Sequence, residues 1–228
     1  MGRKMSAAGG VAPTDSQRPD SDQPGGELPI GGSALQCRIA DAAVDLFYRQ
    51  GALATTVREI TSACGLTPGA LYNHFASKEE LLYLVVRDIH LRLERTVTDA
   101  QRATAGDPAA ELATIVRVYV GMNSGFRQRS RVANREYQLL TAERRAQIVA
   151  IRRRLRDRLT DVLLAGGRHG LFELVGGDDR AAATLTAVAI GAMCANVSDW
   201  ARERHPLSVD ELRDRYAEMA LRLAGARP

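Results

Sequence analysis

From residue 35 onward the apolar positions recur every three or four residues and never alternate. Leu35, Ile39, Ala42, Ala43, Leu46 and Phe47 fall on one face of a helix, with Arg38, Asp41, Asp45 and Arg49 on another. Gly51 ends it. In "TTVREI", Thr56 and Glu59 have capping-box spacing and open a second helix, whose apolar face is Val57, Ile60 and Cys64. Gly65 breaks that helix. Thr67, followed by Pro68, caps a third of only seven or eight residues that carries Tyr72, Asn73 and His74. Ser77 and Glu80 repeat the box and start a long fourth helix striped by Leu82, Val85, Ile89, Leu93 and Val97. Further helices are predicted at about 108–127, 130–140, 143–165, 178–204 and 208–224, with Asp107–Pro108 and the box Ser208…Glu211 marking two starts. "GGRHGLFELVGG" is the least regular link. The expected fold is all-α, with no sheet.

The third helix is too short to stand alone, since isolated helices need roughly 12–15 residues. At 100° per residue Leu71 and Phe75 face inward, while Gly69 and Asn73 point away with Ala70 and Tyr72 beside them. One face is apolar; the other is small at its start and hydrogen-bonding further along. Two short helices joined by a glycine turn, the second with such a face, describe a helix-turn-helix. Its second helix enters the major groove by its N-terminal end.

Residues 35–85 resemble the DNA-binding domain of the TetR family of repressors. "AVDLFYRQGALATT", "TTVREI" and "CGLTPGALYNHFASKEELL" carry the resemblance. It implies a three-helix DNA-binding domain over 33–80 and a larger helical domain for effector binding and dimerisation over 81–228. Thr67, Pro68 and Gly69 would then sit at the groove-facing start of the recognition helix. Tyr72 and His74 would grip phosphates with Asn73 between them. Lys78, Thr56, Arg38 and Arg58 would add flanking contacts. "ANREYQLLTAERRAQIVAIRRRLRD" is more loosely similar to members that sense acyl-CoA thioesters.

Composition adjusts this picture in a few places. Residues 1–32 hold seven glycines and four prolines and few apolar side chains, and are expected to be a disordered tail. Residues 33–80 carry four basic against five acidic side chains, a near balance that predicts a shallow salt dependence of DNA binding. Residues 127–158 carry eleven arginines against three acids. Arg152 and Arg156 lie one turn apart and could fork onto one anion, and Arg154 and Arg158 form a second such pair; a solvated helix face is the more usual reason for such a run. Tyr119, Met122, Asn123, Phe126, Tyr137, Met193 and Trp200 are candidate lining for an apolar effector pocket, though core packing accounts for any one of them.

Val209, Leu212, Tyr216, Met219 and Leu223 are spaced 3, 4, 3, 4, a narrow seam suited to a homodimer through the last two helices. Such a dimer would read a near-palindromic operator in double-stranded DNA. Three cysteines without a paired spacing are expected to be free thiols. His90, His169 and His205 are isolated and expected to hold no metal. With no secretory signal, membrane span, cofactor motif or catalytic motif in view, the expectation is a cytoplasmic regulator that is not an enzyme and needs no cofactor.

Overall fold

The computed structural model describes residues 32–177, 179–201 and 206–226. Residues 1–31 of the expected tail and His205 lie outside them. Within the described residues the chain forms α1 (Ala34–Gln50), α2 (Val57–Ala63), α3 (Pro68–Tyr72), α4 (Lys78–Gln101), α5 (Pro108–Gly125), α6 (Arg127–Glu136), a 3-10 turn (Tyr137–Leu139), α7 (Ala142–Arg168), α8 (Arg180–Trp200) and α9 (Val209–Leu223), with no strand.

Local rules set most of these boundaries. Thr56 and Ser208 each form a full capping box with the glutamate three residues on. Asp107 caps α5 through the backbone N–H groups of Ala109 and Ala110. Gly51 and Gly65 take φ of +84° and +68°, a region that side chains with a Cβ avoid, and so stop α1 and α2. The Ser77 hydroxyl accepts from Glu80 N–H, but the Glu80 carboxylate turns to the Ala76 N–H, so only half of the expected box forms.

Four expectations need correcting. The third helix has five residues rather than seven or eight; Asn73 is its C-cap and His74 lies beyond it. Thr67 occupies the N-cap position without a side-chain capping bond, which leaves its hydroxyl unspent. The region expected as 130–140 splits into α6 and the 3-10 turn. α7 also runs through Gly166 and Gly167, where the sequence suggested a link. A Cβ on Gly166 would lie 2.0 Å from Phe172 Cδ2, so the bare backbone there is what lets the following loop fold back.

The seam on α9 divides. Leu212 and Tyr216 are 5% and 9% exposed within the single chain, where α9 packs along α5 and Tyr216 stacks on Trp200. Met219 is 45% exposed, and Val209 and Leu223 are likewise open. The helical spacing was real, but two of its five positions serve the chain's own core. α8 is long and apolar enough to cross a membrane by composition; in this fold Ala183, Ala187, Ile190 and Val197 are buried against neighbouring helices.

Candidate functional site: a DNA-facing helix pair and an internal cavity

α2 and α3 stand on the core of the N-terminal end through Ile60 and Leu71, with Phe75 just beyond α3, and all three are buried. The opposite side carries Thr67, Pro68, Gly69, Tyr72 and Asn73, all exposed, with Tyr72 at 58%. Nothing lies near the place a Gly69 Cβ would occupy, so the start of α3 is both open and small. His74 is half-buried, and its carbonyl accepts from Gln36 Nε2 at 3.5 Å.

The flanking candidates are more occupied than the sequence suggested. Lys78 Nζ donates to the carbonyls of Ala52 (2.7 Å) and Thr55, tying the turn after α1 to the start of α4. Its ammonium is therefore spent largely on the protein's own backbone. Arg38 Nη2 donates to the Cys64 carbonyl at 3.2 Å, at the end of α2. The Thr56 hydroxyl and N–H both serve the Glu59 carboxylate, which lowers that carboxyl's pKa, first through the backbone bond. Arg58 is exposed and its side chain bonds none of the described residues.

Behind this end, α4 to α8 line a half-open cavity of about 580 Å³. Of the predicted lining, Tyr119, Met122, Asn123, Tyr137, Arg152 and Arg156 reach it. Phe126, Met193 and Trp200 do not. Phe126 caps the junction of α5 and α6, Met193 packs on the side of the core, and Trp200 is held by Tyr216. Sequence reasoning missed His90 and Ser130, both buried, and Asn134. One signal existed: Ser130 and Asn134 are four apart on α6, and His90 directly follows Ile89 on the apolar stripe of α4.

These polar groups form one network. His90 Nδ1 lies 2.8 Å from the Val86 carbonyl. A carbonyl only accepts, so Nδ1 carries the proton and Nε2 presents its lone pair to Arg152 Nη1 at 3.2 Å. Burial pushes the imidazole down to about 4, and the Arg152 charge adds to that despite the opposing Val86 bond, so His90 is neutral at pH 7. Arg152 Nη1 also reaches Asn134 Oδ1 at 3.4 Å, and its guanidinium lies 4.9 Å above the Tyr137 ring. Asn134 in turn donates to Asn123 Oδ1 at 3.1 Å. Burial raises the Tyr119 phenol and pushes the Cys194 thiol up to about 12.

The rest of the arginine run is mostly spent between helices. Arg129 pairs with Asp41 on α1, Arg131 and Arg135 with Asp199 on α8, and Arg144 with Glu79 on α4. Arg154 forks onto Glu94 at 2.6 and 2.9 Å, and Arg158 donates to Gln101, so the second expected arginine pair is not free for a ligand. α6 thus joins the two sites. Asn134 touches the cavity, while Arg131 lies 4.9 Å over the Tyr48 ring of α1 and Glu136 accepts from the Ala52 N–H.

A helix-turn-helix set on an all-helical body that holds an internal cavity is the plan of a DNA-reading regulator, and comparison with known proteins agrees. Residues 39–84 match the model of bacterial regulatory proteins of the tetR family, and residues 105–224 match that of the tetracyclin repressor-like C-terminal domain. The chain belongs to the TetR family of helix-turn-helix transcriptional regulators.

Among its relatives, the transcriptional repressor KstR2 of Rhodococcus jostii is 42% identical over 57 residues, 25% of this chain and 28% of that one. The matched stretches span between 16% and 40% of the length of the curated relatives. A tetR-family regulatory protein from Rhodococcus RHA1 superposes with a TM-score of 0.79 at 30% identity, covering 86% of this chain and all (100%) of that one. AibR, solved in complex with isovaleryl coenzyme A and operator DNA, gives 0.73 at 23% identity over 85% of this chain and 100% of its own; that likeness shows the fold.

Proposed function

We propose that this chain is a cytoplasmic repressor that binds a near-palindromic operator as a homodimer and leaves it when a lipid-like small molecule, of the acyl-CoA thioester class, enters the cavity. The observation that carries this reading is the shared use of α4 and α6. Both line the cavity, and both pack on α1 behind the recognition helix. A ligand that moves either helix changes the spacing of two recognition helices, and any preference for the splayed dimer lowers DNA affinity by the same coupling factor, typically about 1–3 kcal/mol.

In this reading residues 33–80 read DNA and 81–228 bind effector and partner, with α4 continuous across the division. Thr67, Pro68, Gly69 and Asn73 face base edges. Tyr72 and His74, flanked by Thr56, Arg58 and Arg38, meet phosphates. Lys78 contributes by fixing the turn. The partner packs on the open apolar face of α8 (Leu185, Val188, Ala192) and on Val209, Met219 and Leu223 of α9, all exposed. Arg153 and Arg156, at the cavity's partly exposed rim, suit the phosphates of coenzyme A, and the apolar walls suit an acyl group; AibR holds isovaleryl coenzyme A on the same fold.

The test is fluorescence anisotropy of the full chain on labelled DNA from upstream of its own gene, titrated with palmitoyl-CoA. Saturable binding and release by the thioester are expected. Binding that no acyl-CoA reverses would defeat the effector assignment, and no binding at all would defeat the repressor.

A further inference from the structure

Within the arginine-rich stretch, the guanidinium that reaches furthest into the cavity has no carboxylate to answer its charge among the described residues. Arg129, Arg131, Arg135, Arg144 and Arg154 each meet a carboxylate on another helix. At the cavity, Arg153 and Arg156 both lean on Asp157, at 3.8 and 3.2 Å. Arg152 differs. Its partners are the neutral Nε2 of His90, the amide oxygen of Asn134 and the face of Tyr137. Among the described residues no carboxylate lies within ion-pair distance of it, and no Asp or Glu lines the cavity. Only Nη1 is hydrogen-bonded, so the Nε and Nη2 donors remain for a ligand.

A half-buried cation without a counter-charge is costly to keep in apolar surroundings. Here the cost is sustained by a support built to hold the side chain still. The His90 ring, 4% exposed, is fixed by Val86, and Asn134 is fixed by Asn123. Both present acceptors to the same nitrogen, leaving the outer edge of the fork open. A planar fork with two parallel free donors matches a carboxylate.

We propose that Arg152 is the seat for a carboxylate carried on the apolar body of the effector, separate from any phosphates held at the rim by Arg153 and Arg156. The inference deepens the effector reading above and rests on it. For a thioester effector, it means an acyl group that bears an acid of its own, as in the half-thioester of a long-chain dicarboxylic acid.

The seat can be tested apart from regulation. Binding of hexadecanoic acid and its methyl ester to the full chain is measured by calorimetry without DNA, together with palmitoyl-CoA and the mono-CoA thioester of hexadecanedioic acid. The free acid is expected to bind at least tenfold tighter than the ester, and the acid-bearing thioester at least tenfold tighter than palmitoyl-CoA. Arg152→Gln should abolish both differences, Arg152→Lys should keep part of them, and Arg156→Gln should leave them. Asn134→Asp supplies an internal carboxylate 3.4 Å from the guanidinium and should close the seat while keeping the fold, judged by thermal melting. Equal binding of acid and ester, or a preference that survives Arg152→Gln, overturns the proposal. If the preference follows Arg152 but none of these ligands releases DNA, the seat stands and the effector reading falls.

Discussion

In the helix-turn-helix, the outward-facing candidates Thr67, Pro68, Gly69, Tyr72 and Asn73 come from one uninterrupted run. The cavity's polar network draws His90 from α4, Asn123 from α5, Asn134 from α6 and Arg152 from α7, and its His90–Arg152 hydrogen bond spans 62 positions. The first set is exposed and is held by a backbone whose geometry is locally coded. The second is buried or half-buried between helices, and each member depends on partners far away in sequence. A surface that meets a long, charged polymer needs only a correctly aimed short helix. A pocket for a small molecule needs several helices to converge before any chemistry exists there.

The sharpest way to strain this contrast is at α9, where a helical pattern suggests an interface and burial places part of it in the core. Tyr216→Asp should destabilise the chain by about 3–5 kcal/mol, because a buried charge is left without a partner. Met219→Asp, on the exposed side, should melt near the wild type and instead shift sedimentation toward monomer. A Tyr216→Asp protein that melts normally would show that the residue is not part of the core.

Acid should weaken the cavity half specifically. The unfolded chain takes up the His90 proton near the ordinary value of 6.5, the folded chain only near 4. Between these values the unfolded state binds more protons, so stability is fully present above 6.5 and is lost as pH falls toward 4. At about 1.36 kcal/mol per unit the loss comes to roughly 3 kcal/mol. Urea denaturation at three pH values should show this slope for the wild type and a flatter one for His90→Gln.

On the DNA side the effects should be smaller and should divide by type. Asn73→Ala or Thr67→Ala should relax sequence preference by about 1–3 kcal/mol per lost base contact. Tyr72→Ala should weaken binding to operator and unrelated DNA alike, because phosphate contacts position without specifying. Competition binding with mutated operators separates the two; a Tyr72→Ala variant with unchanged operator affinity would show that α3 docks differently.

The smallest contrast concerns glycine. Gly125 sits at the end of α5 with open space where a Cβ would lie, so Gly125→Ala should stabilise by up to about 1 kcal/mol. Gly166→Ala has the same helix propensity behind it, yet should destabilise by about 1–3 kcal/mol, since its Cβ would enter the Phe172 ring. Melting temperatures that move together for the two variants would count against the close approach.

Legibility in the sequence follows the same division. The stripe on α4 and the boxes at Thr56 and Ser208 could be read directly, because i, i+3 and i, i+4 relations lie within one helix. The exposed face of α3 was legible for the same reason, although its length was overstated. The cavity was legible in part. Aromatic and polar residues on α5 to α7 were plausible lining, but Trp200 had an equal claim and stacks on Tyr216 instead. His90 was passed over because nothing near it in sequence shows that Arg152 will reach it.

What the sequence by itself determined is therefore the local part: an all-helical chain, most of its helix starts and stops, and a recognition helix with small and hydrogen-bonding residues outward. Backbone hydrogen-bond satisfaction and helical period impose these features within a few residues. Only the tertiary structure decided which positions of the α9 seam are core, that α7 continues through Gly166, and that the arginine beside His90 enters the cavity without a carboxylate partner among the described residues. Burial and charge compensation depend on which helices cover a given face, and a one-dimensional period cannot state which neighbour comes to lie against it.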